Sequence, residues 1–522
     1  MRGHQTRRPP RACSSARRLT HATRRNRGHR DLEQLERENQ RLREGIAERD
    51  RVIADRDTQI AERDHQIKEH EQTIAELERQ LAARQQNSTT SSKPPSSDGL
   101  AGAPRVRGRR KKSRRRPGGQ PGHRGAYHPL VPPEQVSRVE TVWPEQCAHC
   151  GQRWPGEGHP MQIVGQVRRH QVTEIPAIAP EVIEYQCPRV LCPGCGQGTR
   201  APMPVDAQGQ FGPHLTALIA YLTVVCRLPR RVVEAMLEHL LGIEMSLGST
   251  QHCWEETSAA VAAPCAELEQ RLKAESVLNI DETGWRTNGK KRYLWAFVAS
   301  TFVVFTVAQT RGSALLIQML GAAFRGILGS DRFSAYLKYH KGQAQFCWAH
   351  LKRNMLGILD LAKTREVERF CRDALALHAR LFRLWHQYRS GLIDRSQLNQ
   401  RSIPIEQKFF ALAERHLDSA DKDVRNLATA LFQHGERLFT FVTAPGVEPT
   451  NNSAERALRT GVQWRKICFG TRSGRGEIAT ARLLTVMQTC KQQRRHALRY
   501  LTAAVVAHRR RQSVPSLLPD QA

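Results

Sequence analysis

Long apolar runs are missing from this 522-residue chain. The two longest nearly apolar stretches, around Leu215–Cys226 and Ala296–Ala308, fall well short of the roughly 20 residues a membrane-spanning helix needs. No apolar stretch follows the basic N-terminus, which argues against a secretory signal. Acidic charge is also scarce. Against 81 Lys and Arg stand 50 Asp and Glu, a formal net charge of +31 that suits a polyanion far better than an acidic small molecule. Without an export signal, the 13 cysteines are poor candidates for a disulfide framework, so their spacing needs another reason. The expected setting is cytoplasmic and nucleoid-associated, facing DNA or RNA and not a membrane. The length calls for several domains.

Residues 1–30 contain ten arginines and no acid, a composition that cannot bury a core and predicts a flexible basic arm. From 31 to 85 a heptad takes over. Leu32, Asn39, Ile46, Ile53, Ile60, Ile67, Ile74 and Leu81 recur at one seam position, with Leu35, Leu42 and Leu77 at the other. This predicts a coiled coil and hence a homodimer or higher oligomer. Arg49, Arg56 and Arg63 occupy the second row and weaken the middle of the coil, while Asn39 suits register and a dimer. Residues 86–128 are Ser/Pro/Gly-rich and then basic, a linker. Its Arg109, Arg110, Lys111 and Lys112 would neutralise phosphates without reading sequence.

Residues 129–205 carry two knuckles, CAHC and, within CPRVLCPGC, a second C-x-x-C. Cys147, Cys150, Cys192 and Cys195 are four thiolates suited to one structural Zn2+, with a β-rich excursion expected from Gln162 to Tyr185. Cys187 is left out because only 192 and 195 repeat the C-x-x-C-G form. Residues 206–275 read as helices. In PRRVVEAMLEHLLGIEMSLGSTQHCWEE an amphipathic helix breaks at Gly242 and a second opens over Ser246–Thr250, a spacing that fits a helix-turn-helix and many plain helical hairpins.

From Ser276 the pattern alternates: three strands, a helix, a strand, a helix and a strand. That order matches a ribonuclease-H-like fold, with its first and fourth strands adjacent. The first, SVLNID, is predicted to end at Asp281 before a glycine turn, and GILGSD at Asp331. Glu282 alternates to the other side and would serve the turn. Two carboxylates at adjacent strand ends resist joint ionisation, and Mg2+ or Mn2+ would reconcile them. A third acid is wanted on a neighbouring helix. Asn451, Asn452 and Ser453 form a capping-type start with Glu455 in the first turn, although such an acid is also a favourable dipole partner. Glu448, in a loop, is a rival. The resulting class is multidomain α+β: coiled coil, zinc module, helical domain and an α/β catalytic domain. That domain would span 276–362 and 441–500, with a helical insertion at 363–440 and a tail at 501–522.

The motifs IDETGWR, GSDRFSAY, FCWAHLKRN, TNNSAERALR and RKICFGTRSGRG occur in the order seen in insertion sequence 66 family transposases. With the coiled coil, the SSKPPSSDG and GGQPGHRG linker and the knuckles, the chain resembles that family over about residues 31–500. The resemblance implies a DDE transposase using Asp281, Asp331 and Glu455. Its Cys-Trp-Ala-His-x-x-Arg stretch falls on Cys347, His350 and Arg353, with no role assigned. Arg332 and Phe333 depart from the small residue and aromatic expected after the second Asp. Arg465, Lys466, Arg472 and Arg475 are candidates to grip double-stranded DNA, both element ends and target. Accessory proteins of the same element are further candidate partners. The alternatives are a non-catalytic zinc and helix-turn-helix DNA-binding protein descended from a transposase, or a nuclease of the same fold.

Overall fold

The computed structural model describes residues 21–85, 129–153, 162–207, 209–340 and 342–519. The first 20 residues of the arm and the linker, with Arg109, Arg110, Lys111 and Lys112, lie outside the described residues. The chain divides into two units, residues 1–86 and 87–522. No helix among the described residues is long and apolar enough to cross a membrane.

The first unit contains one 65-residue helix, α1 (His21–Gln85). It starts ahead of the expected boundary at 31, because the preceding arginines and alanine are good helix formers and no proline interrupts them. Its seam side chains, among them Leu35, Leu42, Ile46, Ile53, Ile60, Ile67 and Leu77, are exposed. An apolar stripe of this kind needs a second helix to leave water.

In the second unit, β1 (Arg189–Leu191) and β2 (Gly198–Arg200) pair antiparallel around the second knuckle. The β-rich excursion expected from Gln162 to Tyr185 carries no strand. Val164, Val167, Val172, Ile175 and Val182 stand exposed, and without a partner strand their backbone has no ladder to join.

Four helices follow: α2 (Pro213–Val224), α3 (Arg230–Leu241), α4 (Leu247–Ala260) and α5 (Ala262–Arg271). Gly242 closes α3 at φ 64°, a left-handed cap that glycine adopts freely. Ser246 caps α4 by accepting the Ser249 N–H at 3.1 Å. The expected helix pair therefore forms. Its second helix, however, buries Thr250, Cys253, Trp254, Thr257 and Ser258, and the more exposed member is α3, with Val232 and Leu240 in solvent.

The sheet region runs β3 (Val277–Thr287), β4 (Lys290–Val298), β5 (Val303–Ala308), α6 (Ser313–Leu320), β6 (Ile327–Ser330), α7 (Ser334–Tyr339), β7 (Ala344–Phe346) and α8 (Trp348–Asp360). The sheet order is β5-β4-β3-β6-β7. The first three strands are antiparallel, and β6 and β7 run parallel to β3. The predicted order of elements is thus observed, but β3 does not stop at Asp281. Its parallel pairing ends at Asn279↔Gly329, whereas the antiparallel ladder with β4 continues to Thr287↔Lys290. The turn comes at Asn288 and Gly289, both at positive φ.

The helices α9 (Arg365–Arg389), α10 (Arg395–Glu414), α11 (Lys422–His434) and α12 (Thr440–Thr443) occupy the expected insertion. They build a separate core around Phe370, Leu381, Trp385, Phe409 and Phe441, into which Trp348 of α8 projects. The chain then returns with α13 (Asn452–Cys468), α14 (Gly474–Gln492) and α15 (Ala497–Arg509). Helix α14 protects the sheet edge, because the hydroxyls of Thr489 and Thr485 accept the N–H groups of Val303 and Phe305 at 3.1 and 2.9 Å. The expected tail is not one. Leu501, Ala504 and Val505 of α15 are fully buried, and Arg509 grips Glu256 of α4 at 2.7 and 3.0 Å. Periodic apolar residues gave α15 a face to bury.

Gly461 lets α13 lie close on the sheet: a Cβ there would meet Leu294 Cδ2 at 2.4 Å, and Leu294 is fully buried. Gly461→Val should destabilise the protein by about 1–3 kcal/mol through overpacking, read as a lower midpoint in urea denaturation. The exposed change Gly391→Asn, at a positive φ with nothing within 4 Å, should leave the midpoint nearly unmoved.

Candidate active site

The register of the parallel pair decides where the acids go. Two residues past Asn279↔Gly329 lie Asp281 on β3 and Asp331 just beyond β6. Each carboxylate first accepts a local amide: Asp281 takes the Glu282 N–H at 2.9 Å and Asp331 the Phe333 N–H at 2.9 Å. Asp281 is held well above the usual carboxylate range, first by burial and then by the charges of Glu282, Asp331 and Glu455. Burial also raises Asp331, offset by the Phe333 amide and by Arg311, Arg332 and Arg353. Asp281 thus feels the charge of both other acids expected from the sequence, Asp331 and Glu455, the latter carried by the first turn of α13.

Asn451 connects that helix to the first strand. It was expected to cap α13, but no side-chain cap bond forms. Instead Nδ2 donates to the Ile280 carbonyl at 2.7 Å, and the backbone N–H points at Cys347 Sγ at 3.1 Å. Its Oδ1 is buried without a partner. Glu448, the rival ligand, pairs with Arg389 at 2.6 Å, half exposed to solvent.

Glu282 does not serve a turn, since none follows it. Its side chain is only 2% exposed, and Oε1 accepts Arg311 Nε at 2.8 Å while Oε2 accepts the Tyr336 hydroxyl. The Arg311 guanidinium in turn covers the Phe333 ring at 4.2 Å. This group ties β3 to the segment that follows Asp331. Nothing in the spacing marked Arg311 or Tyr336, which are distant in sequence; only burial of Glu282 picks them out.

Cys347, His350 and Arg353 open α8 beside Glu455. Arg353 Nη2 donates to Glu455 Oε1 at 3.1 Å. His350 Nδ1 lies 3.5 Å from the same oxygen yet makes no hydrogen bond. Burial, with Arg353 and Arg332 nearby, pushes the imidazole down to about 4, so at neutral pH it is uncharged and this approach is not an ion pair. One atom each of Cys347, His350 and Glu455 lies within 4.8 Å of the others, a possible ion-holding group among the described residues. Cys347 is raised by burial. Arg332, the departure noted above, is largely desolvated and close enough to act on both Asp331 and His350.

Of the basic candidates, Lys466, Arg472 and Arg475 are exposed. Arg465 is half-buried and donates to the Gly284 carbonyl.

The two cysteine knuckles share one shape. Cys147 N–H bonds Gln152 O and Cys192 N–H bonds Gln197 O, both at 2.8 Å, and Gly151 and Gly196 have φ 73° and 70°. Backbone amides within each knuckle lower the Cys147 and Cys192 thiols. The four thiols do not gather within one ligand radius here.

The model of the transposase IS66 family matches residues 208–479, more than half the chain. The chain belongs to the IS66 transposase family. Membership supports a transposase-type function. A second model, for a family of unknown function called DUF6444, matches residues 20–129. Two relatives from Sinorhizobium fredii are both described as uncharacterized. Protein y4qI is 28% identical over 252 residues, covering 42% of this chain and 46% of that protein. Protein y4hP is 23% identical over 397 residues, covering 69% and 70%. The chain thus spans about half the length of the first.

The raised pKa of Asp281 sets a pH dependence. An acid whose folded-state pKa lies above its unfolded value costs stability as pH rises through the folded value. In magnesium-free buffer the protein should therefore lose thermal stability with rising pH more steeply than its Asp281→Asn variant. At pH 8 the variant should melt higher by about 2 °C or more, measured by calorimetry, with the gap closing toward acid pH.

Proposed function

We propose that this IS66 family member is a DDE transposase that cleaves DNA at the ends of its element and joins them to target DNA. The observation that carries this reading is the register that brings Asp281 and Asp331 to neighbouring strand positions, with Glu455 electrostatically coupled to Asp281. The strand order β5-β4-β3-β6-β7 supports assigning residues 276–362 and 441–500 to a ribonuclease-H-like domain.

Asp281, Asp331 and Glu455 would hold Mg2+ or Mn2+. The donor chemistry supports this: three hard oxygen donors, with Asp281 raised first by burial and then by the neighbouring carboxylates, a charge that a divalent cation would offset. Bound there, a metal pair supplies activation of the attacking oxygen and stabilisation of the leaving one. The chain's own residues do the rest. Arg353 orients the Glu455 carboxylate, and Asn451 fixes the start of α13 against β3. Glu282, Arg311 and Tyr336 hold the segment behind Asp331. Neutral His350 stands beside Glu455 without adding charge. Exposed Lys466, Arg472 and Arg475 would meet phosphates, and Arg109, Arg110, Lys111 and Lys112, outside the described residues, would add contacts of the same kind. Arg465, committed to the Gly284 carbonyl, supports the loop more than it reaches outward.

Cys147, Cys150, Cys192 and Cys195 would hold a structural Zn2+. Amide bonds that favour thiolate at the first cysteine of each knuckle support this. The exposed seam of α1 supports a coiled-coil dimer, which joining two ends to one target requires. The exposed surface of α3 is the candidate DNA-reading element, with the basic linker adding phosphate contacts that carry no sequence information.

Purified protein with magnesium and a duplex carrying the inverted repeat that flanks its coding region should cut that duplex and yield a strand-transfer product. Asp281→Asn and Asp331→Asn should each abolish both products while leaving binding of the duplex intact. Equal cleavage by Asp281→Asn would sink the metal assignment, and cutting without end preference or joining would point to a nuclease.

A further inference from the structure

Helix α13 ends on a residue that ought to be unfavourable there. Phe469 occupies the left-handed cap at φ 61°, a position that glycine or asparagine usually takes. The residue is 80% exposed. Isolated exposed apolar residues are common, but a bulky aromatic at positive φ is an outlier whose persistence calls for a cause.

The mount beneath it is rigid. Thr471 N–H donates to the Arg286 carbonyl at 2.9 Å, and Asn288 N–H to the Thr471 carbonyl at 2.8 Å. The Thr471 hydroxyl also meets Trp285 Nε1 at 3.2 Å and the Thr287 hydroxyl at 2.8 Å. Gly470, at φ 111°, approaches so closely that a Cβ would lie 2.1 Å from the Arg286 oxygen. The loop carrying Phe469 is thereby sewn to the far end of β3, the strand that bears Asp281. Exposed Lys466, Arg472 and Arg475 flank it.

We propose that Phe469 is a stacking platform for an unpaired DNA base, held at a set distance from the carboxylates by β3. An aromatic face offers stacking to any base, and the neighbouring cations offer contacts to the phosphates on either side. That charge complementarity selects DNA over an apolar protein partner. The inference deepens the transposase reading and rests on it for the role of the site: a base drawn out at the element end would be fixed while its phosphodiester is cut.

The test uses the full chain and two fluorescein-labelled duplexes, one fully paired and one with a 2-aminopurine opposite an abasic site. Wild type should prefer the second by about fivefold or more, with a change in 2-aminopurine emission on stacking. Phe469→Ala should lose the preference and the emission change yet keep its affinity for the paired duplex within about twofold, because phosphate contacts remain. Phe469→Trp should retain both. Phe469→Gly should lose them while melting higher than wild type, which separates stacking from folding. Retained preference in Phe469→Ala, or an equal loss on both duplexes, would overturn the proposal. A wild type that stacks the base but never cuts its element end would sink the transposase reading alone. One that cuts but does not discriminate between the duplexes would sink the stacking site alone.

Discussion

Asp281 is buried where the charges of Glu282, Asp331 and Glu455 all act on it, and burial makes that repulsion stronger. The raised Asp281 records the cost. What keeps the group assembled is a set of short cross-links, each between elements that would otherwise drift apart. Asn451 ties α13 to β3 through the Ile280 carbonyl. Glu282 ties β3 to α7 through Tyr336 and, through Arg311, to the Phe333 ring. Arg353 offsets the charge of Glu455 from α8. Asp281, Asp331 and Glu455 are thus positioned by their fixed neighbours and not by attraction.

The helical insertion belongs to this arrangement. Trp348, next to Cys347, sits in the insertion's core against Phe409 and Phe439, and its Nε1 donates to the Leu438 carbonyl at 2.6 Å. Gln345 of β7 donates to the same carbonyl at 3.1 Å and accepts the Phe441 N–H at 2.8 Å. The helix presenting His350 and Arg353 is therefore seated in the insertion as much as on the sheet. A disturbance among α9, α10 and α12 has a physical route to Glu455.

Much of this was readable in the chain itself. Alternation marks the five strands, and the match of their order to a ribonuclease-H-like fold sets the first beside the fourth, as β3 and β6 are. Asp281, Asp331 and Glu455 stood out by their positions beside strand ends and a helix start. Other features were hidden. Glu282 reads as a turn residue because period-2 alternation is read against one partner strand, whereas β3 has two partners that stop at different places. Asn451 looked like a cap because local sequence shows only local bonds. Residues from Gln162 to Tyr185 looked β-rich because valine and isoleucine favour strands, yet propensity does not supply a neighbour to pair with.

What the sequence determined alone was local and periodic: the heptad of α1, the paired knuckle turns with their glycines, the breaks at Gly242 and Ser246, and the alternation of strand and helix after Ser276. Backbone preference and side-chain spacing act over a few residues, and those distances are written in the chain. Tertiary structure decided which distant groups meet: Arg311 with Glu282, Arg509 with Glu256, Arg353 with Glu455, and the bridge from Thr471 to β3 that holds Phe469 outward. Such pairings are settled by packing around shared cores, where burial turns a choice of partner into a large energy difference that no single segment carries.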